Sequence, residues 1–234
     1  MRLPAILIAT LALFSPALQS LEAGVDLSAG FSIGWPTGQI NDYAFGAVGV
    51  GGTGRFGVDL GDNLALFGQF SYIDLGLEQG FIPRDITNST LALDVATDFY
   101  FMHIGPGFTF KKKRGNLRPY LDLFGGVTVH STLSRVSSRN IQPALVEYSK
   151  TEGTTWHAGL DIGLKMMIWT HLHPRGEQFI EDIFLDLRLG YLTGGNIEVL
   201  DWRQTRFFAG ELHLKNLGSR TDMLLATIGI SIAF

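Results

Sequence analysis

The chain has 234 residues, 46% hydrophobic and 17% charged, with 29 Gly, 8 Pro and no Cys. The charged share lies well below the ~25% of ordinary soluble domains, and the apolar and aromatic content excludes a disordered chain. Lys plus Arg number 18 against 22 for Asp plus Glu, a net charge of −4. Nucleic acid is therefore not an expected partner, because nothing offsets a phosphate backbone. With no cysteine, neither a disulfide framework, a thiol nucleophile, a Cys metal site nor an acylated N-terminal cysteine is expected.

Residues 1–23 open with Met1-Arg2, continue as the apolar run Leu3 to Phe14 and reach small residues after Pro16. This order predicts a secretory signal peptide cleaved after Ala23, with residues 24–234 as the mature domain. Leu3 to Phe14 is too short for a membrane helix, which needs about 20 apolar residues.

From Gly24 onward the dominant signal has period two, the mark of strands. In the first run Val25, Leu27, Ala29, Phe31, Ile33 and Trp35 share one face, and Asp26, Ser28, Gly30, Ser32 and Gly34 the other. Further runs fall at roughly 47–60, 64–75, 93–110, 118–133, 155–169 and 181–192. The last, Leu224 to Phe234, repeats the scheme, making eight strands. The 64–75 run is less regular, and 93–110 changes phase near Thr97 to Phe99, where a bulge is expected. Gly49 to Gly57 is read as small side chains in a curved strand, since no Lys-Ser or Lys-Thr follows to make a phosphate loop.

One face of these strands is charged and glycine-rich, and its partner face is almost free of charge. A lipocalin-like barrel keeps apolar residues inside. A membrane barrel inverts this, because Arg or Lys facing lipid near the midplane costs about 2–4 kcal/mol. The expected fold is therefore all-β, a closed antiparallel up-and-down transmembrane barrel of eight strands. Closure follows because an unpaired strand edge cannot be satisfied in hydrocarbon. The connections 61–63, 111–117 and 170–180 are shorter, while 36–46, 76–92, 134–154 and 193–222 are generally longer. Short turns and both termini then belong in the periplasm. The basic stretch Lys111 to Arg114 reads as a solvated turn.

On these features the chain resembles the small eight-stranded bacterial outer-membrane barrels. The residues that carry the resemblance are the signal segment, the alternating strands and the terminal run Gly229 to Phe234. The resemblance implies that Ile230, Ile232 and Phe234 form the C-terminal signal read by the barrel-assembly machinery. It implies a Gram-negative outer membrane, with lipid and lipopolysaccharide as partners and an envelope protein as a further possible one. It names no substrate.

The inward face is expected to carry Asp26, Arg55, Asp59, Asp122, His130, His157, Asp161, Lys165, Asp182, Asp186 and Arg188. So narrow a barrel is filled by its own side chains. These charges should accordingly pair into a polar network that plugs the lumen. A register with a constant sum of 287 would set Asp122 against Lys165 and His130 against His157. The reading that follows is a non-enzymatic structural or surface-interaction protein, with no cofactor. The alternatives are a narrow channel for small or hydrophobic solutes, through an open lumen or a lateral gap, and a lipid A-modifying enzyme at the outer rim. His130-Ser131 with His157 is the best catalytic candidate, yet neighbouring strand residues point to opposite faces. His171-Leu172-His173 with Glu177 falls in a turn, so no metal site is expected. The long last connection holds Trp202, Arg203, Arg206, Phe207, Phe208 and Lys215, and is expected to extend the last two barrel strands past the membrane, its basic groups near lipopolysaccharide phosphates.

Overall fold

The structure, a computed structural model, describes residues 24–38, 40–41, 47–82, 93–112, 114–138, 146–170, 181–200, 206–208, 211–213 and 216–234. The expected signal segment, His171, His173, Glu177, Trp202, Arg203 and Lys215 lie outside the described residues, and of Arg206, Phe207 and Phe208 only the backbone is described.

Eight long strands close into one antiparallel barrel. They are β1 (Val25–Pro36), β2 (Gly49–Asp59), β3 (Leu64–Ile82), β4 (Leu93–Lys111), β5 (Leu117–Ser138), β6 (Val146–Thr170), β7 (Asp182–Gly194) and β12 (Met223–Ala233). Between β7 and β12 the strands β8 (Asn196–Leu200) and β11 (Asn216–Arg220) pair as an upward continuation of that hairpin, with the short pair β9 (Arg206–Phe208) and β10 (Glu211–His213) between them. The alternation fixes which face is which. Leu27, Phe31, Phe56, Phe70, Ile104, Phe108, Leu160, Ile162, Leu189, Ile228 and Ile230 are exposed on the outside, while Ser32, Thr53, Asp122, Asp186, Arg188 and Ser231 are buried inside.

The register shows why these sequences close at this diameter. Cα partners followed around the barrel from Asp26 run through Gly57, Phe67, Gly107, Phe124, Gly159, Leu192 and Met223 to Pro36. The path ends ten residues further along β1 than it began (36 − 26). That stagger tilts the strands, by roughly 35–45° in barrels of this kind. From Gly57 to Leu192 small and large residues alternate along the path. The Phe124 ring lies over Gly159, where an added Cβ would be 2.6 Å from its Cε2.

The same device sets the β5–β6 register at a constant sum of 283, not 287. Tyr120 opposes Gly163, Phe124 opposes Gly159, His157 opposes Gly126 and His130 opposes Gly153. A Cβ on Gly163 would stand 2.5 Å from the Tyr120 ring, and one on Gly153 2.5 Å from that of His130. Three bulky inward rings, those of Tyr120, Phe124 and His130, need the glycines across from them, and this outweighs the single ion pair the other register offers. Asp122 therefore faces Asp161 and not Lys165, and His130 does not meet His157.

Two further expectations are corrected. The phase change lies on β3, where the register shifts between Asp74 and Gly76, and not near Thr97 to Phe99 of β4. Much of 76–92 and 134–154 is strand rather than loop, so β3 to β6 rise as a four-stranded blade beyond the rest of the barrel.

Candidate functional site

The interior is layered, and each layer follows from the residue types the strands turn inward. At the end holding the chain's C-terminus and the short turns lies a vestibule of about 790 Å³. Asp26, Arg55, Lys111, Arg118, Tyr120 and Lys165 are among its lining residues. Lys165 binds Asp26, and its ammonium also donates to Ser231 Oγ at 2.9 Å. Lys111 meets Asp59 at 2.5 Å and Arg118 meets Asp182 at 2.8 Å. Lys111 is thus tied to the vestibule wall, a correction to the solvated-turn reading. The Arg118 guanidinium also covers the Phe184 ring, 4.4 Å from its centroid.

Deeper in, Arg55 grips Asp122 and Thr109, with a second contact to Asp122 at 3.2 Å, and lies 3.6 Å from the centroid of Phe67. Tyr120 donates to Asp186 at 2.5 Å, and the other Asp186 oxygen is 3.4 Å from Arg188 Nε. Asp161 is buried over Gly190 and directly opposes Asp122. Of the inward residues named from the sequence, Arg55 pairs with Asp122, Lys165 with Asp26 and Arg188 with Asp186, while Asp59 and Asp182 take cations the sequence reading did not place inside, Lys111 and Arg118.

Above them is an uncharged polar layer. Ser32 bonds Thr53 at 2.7 Å and Thr227 at 2.9 Å, and Thr53 reaches Ser71 at 3.4 Å. Beside it the Thr128 hydroxyl bridges His103 Nδ1 at 2.9 Å and His157 Nδ1 at 3.1 Å, the two rings meeting edge to face at 5.4 Å. His103 escaped the sequence reading because the suspected phase change left the inward face of 93–110 undecided. His130 is buried nearby on β5, and Ser131 is buried on the other side of the same strand, across from Tyr100 and Glu152. A nucleophile–base pair between them is not assembled.

The outer end of the interior is apolar. Ile40, Ile73, Phe101, Leu192, Ile197 and Met223 belong to one buried cluster. Ile40 comes from the connection after β1 and Ile197 from β8, so two outer connections contribute to a stopper. Thr37 N–H donates to the Asp222 carbonyl at 2.8 Å, and the Asp222 side chain accepts from Thr193 Oγ1 at 2.8 Å and from Gly194 N at 3.2 Å, which latches these segments together.

On the outside, Tyr72 and Tyr100 lie 6.1 Å apart at the upper rim of the apolar band. Beyond them burial, reinforced by repulsion from Asp74, pushes the Asp98 carboxyl above the usual carboxylate range. The wall between β4 and β5 lacks ladder partners at Gly105 and Pro106, as a residue without an N–H requires. The strands nevertheless stay close there, since a Cβ on Gly126 would lie 2.6 Å from Gly105 Cα.

No protein-family model matches this sequence, and no curated protein matches it. Among solved structures it is similar to the outer membrane protein OprG from Pseudomonas aeruginosa, at 10% identity over 91% of this chain and 96% of that one, with a TM-score of 0.50. Ail of Yersinia pestis matches at 12% identity over 92% and 100% of the chains, TM-score 0.44, and Neisserial surface protein A at 14% over 90% and 95%, TM-score 0.38. The fold is that of the small outer-membrane β-barrels.

Proposed function

We propose that this chain is an integral protein of the Gram-negative outer membrane, with its lumen sealed and its work done by its outward surfaces. The observation that carries this reading is the layered interior: paired charges below, hydroxyls and histidines in the middle, and a buried apolar stopper at the outer end. Lipid is the natural cover for an outer face that presents Phe, Leu, Ile and Trp around the barrel, because a single barrel has no second protein layer. The short turns and both chain ends then face the periplasm, and the blade of β3 to β6 faces outward. Ile230 and Ile232 lie on the last strand and Phe234 directly follows it, where the assembly machinery would read them, and Phe234 exchanges backbone hydrogen bonds with Val25 at 2.9 and 3.2 Å. A catalytic role is not proposed, because His130 and Ser131 point to opposite faces.

A narrow channel is the second reading, favoured by the vestibule of about 790 Å³. Single-channel recording of the refolded protein decides between them. The sealed reading expects a silent wild type and a silent Lys165→Ala variant. Steady conductance that changes when Lys165 is removed would establish the channel instead.

A further inference from the structure

We infer that His103, Thr128 and His157 form an acid-sensitive catch, and that a proton added to this pair of imidazoles frees the β8–β11 pair from the outer mouth of the barrel. This deepens the sealed-lumen reading and rests on it, because the catch lies within the stopper that closes that end. The Thr128 hydroxyl stands 2.9 Å from His103 Nδ1 and 3.1 Å from His157 Nδ1. It has one proton to give, so it donates to one ring and accepts from the other. His103 Nε2 is buried without a partner. An orphaned N–H is rarer in folded proteins than an orphaned acceptor, which makes that atom the bare nitrogen. The chain then runs from His103 Nδ1–H to the Thr128 hydroxyl and from that hydroxyl to His157 Nδ1. It is complete only while both rings are neutral. A further proton on His103 creates an Nε2–H with no acceptor, and one on His157 sets two Nδ1–H groups against a single hydroxyl.

The surroundings offer the added charge nothing. Phe101 stacks on His103 at 6.3 Å and Phe124 faces His157 at 6.1 Å, and both rings belong to the buried apolar cluster. The neighbouring strands turn Ser32, Ser71, Ile73, Leu192, Met223 and Leu225 inward, all uncharged. His130, the next inward residue of β5 after Thr128, is a third imidazole and not an acid. Asp161 lies two inward positions below His157 on β6, and Arg55, Asp122, Asp186 and Arg188 occupy the layer beneath. Asp222 and Arg220 stand 3.6 Å apart beside the outer connections, where the carboxylate already accepts from Thr193 and Gly194. An imidazolium so placed is stabilised only by admitting water. The barrel strands are laddered to their neighbours, so the part that yields is the one that leaves the ladder here. His157 opposes Gly194 on the last rung of β6 with β7, and the Gly195 N–H then donates to the Trp156 carbonyl at 2.9 Å. Directly beyond, β8 departs with β11 and carries Ile197 into the cluster. The catch thus sits at the foot of the element it holds.

The chain contains no cysteine, so Ile197→Cys gives the refolded barrel a single thiol inside the stopper. Its reaction with a dipyridyl disulfide, a reagent that still works in weak acid, is measured against that of Lys150→Cys, at a position 59% exposed. The relative rate is expected to rise about tenfold or more between about pH 7.5 and about pH 4.5, and to fall back when the pH is restored. With His103→Gln and His157→Gln added, it should stay flat. Heat-dependent gel migration checks that each barrel is folded at each pH. A flat rate with both histidines present overturns the inference, and so does an equal rise without them, which would put the response on Asp222. If the double variant misfolds, nitrogen spectra of the histidine-labelled wild type decide. They should show Nδ1–H on His103 and Nε2–H on His157 at neutral pH, and imidazolium over the range in which the thiol opens; two neutral rings throughout that range overturn the catch. Conductance at neutral pH separates the two ideas: a silent barrel with a flat thiol rate sinks only the catch, and a conducting barrel whose thiol still opens in acid sinks only the sealed lumen.

Discussion

Replacing Asp122 by Ala is expected to lower the unfolding free energy of the vesicle-inserted barrel by about 3–5 kcal/mol, because it strands Arg55 as an unpaired charge. Both partners are well buried, the Arg55 side chain 7% exposed and that of Asp122 0%. Thr109 and the Phe67 face would remain against the guanidinium, but neither supplies a negative charge. The double change Arg55→Met with Asp122→Leu should recover most of the loss, since an apolar pair of similar volume removes the desolvation penalty along with the attraction. Urea titration followed by tryptophan fluorescence measures both. If Asp122→Ala and the double variant are equally unstable, the pair acts through shape and not charge. Lys150→Ala, in the exposed Lys150–Glu152 pair, should leave the midpoint where it is.

The strands were legible in the sequence because one side of the barrel meets lipid and the other does not. Ser28, Ser32, Arg55, Asp122, Asp186 and Ser231 alternate with Leu27, Phe31, Phe56, Leu123, Leu187 and Ile230, and that contrast is the period-two signal. It fades where the interior turns apolar. At the outer ends Ile73, Phe99, Phe101, Leu192 and Met223 face inward, so strand and lumen share one chemistry and the faces cannot be told apart. The irregular run at 64–75 and the doubtful phase of 93–110 have this cause, and His103 was lost with them.

The β5–β6 register was missed for a different reason. Charge complementarity suggested Asp122 with Lys165, whereas the strands are matched by volume, and the pairs that form are long-range ones across the lumen. Lys165 meets Asp26 from β1, and Asp122 meets Arg55 from β2. Searching the two strands for the offset that sets the most bulky inward residues against glycines would have found 283. Such a search works for narrow barrels, where facing side chains compete for one interior.

That volume argument makes a graded prediction about glycine. Gly126→Ala is expected to cost about 3 kcal/mol, at the upper end of ordinary overpacking. Its new Cβ would meet backbone, 2.6 Å from Gly105 Cα and 2.9 Å from the Ile104 carbonyl carbon, so β4 itself must move. Gly159→Ala is expected to cost less, about 1–2 kcal/mol, because the obstacle is the Phe124 ring, which can shift at its far end. Combining Gly159→Ala with Phe124→Leu should be markedly less harmful than the sum of the two single changes, a coupling expected only of residues in contact. Gly54→Ala is the control. Its Cβ would find nothing within 4 Å, and the change should stay within about 0.5 kcal/mol. Additive losses in the Gly159–Phe124 cycle, or a Gly54→Ala as costly as Gly126→Ala, would mean that these glycines serve backbone conformation and not the fit of one strand against the next.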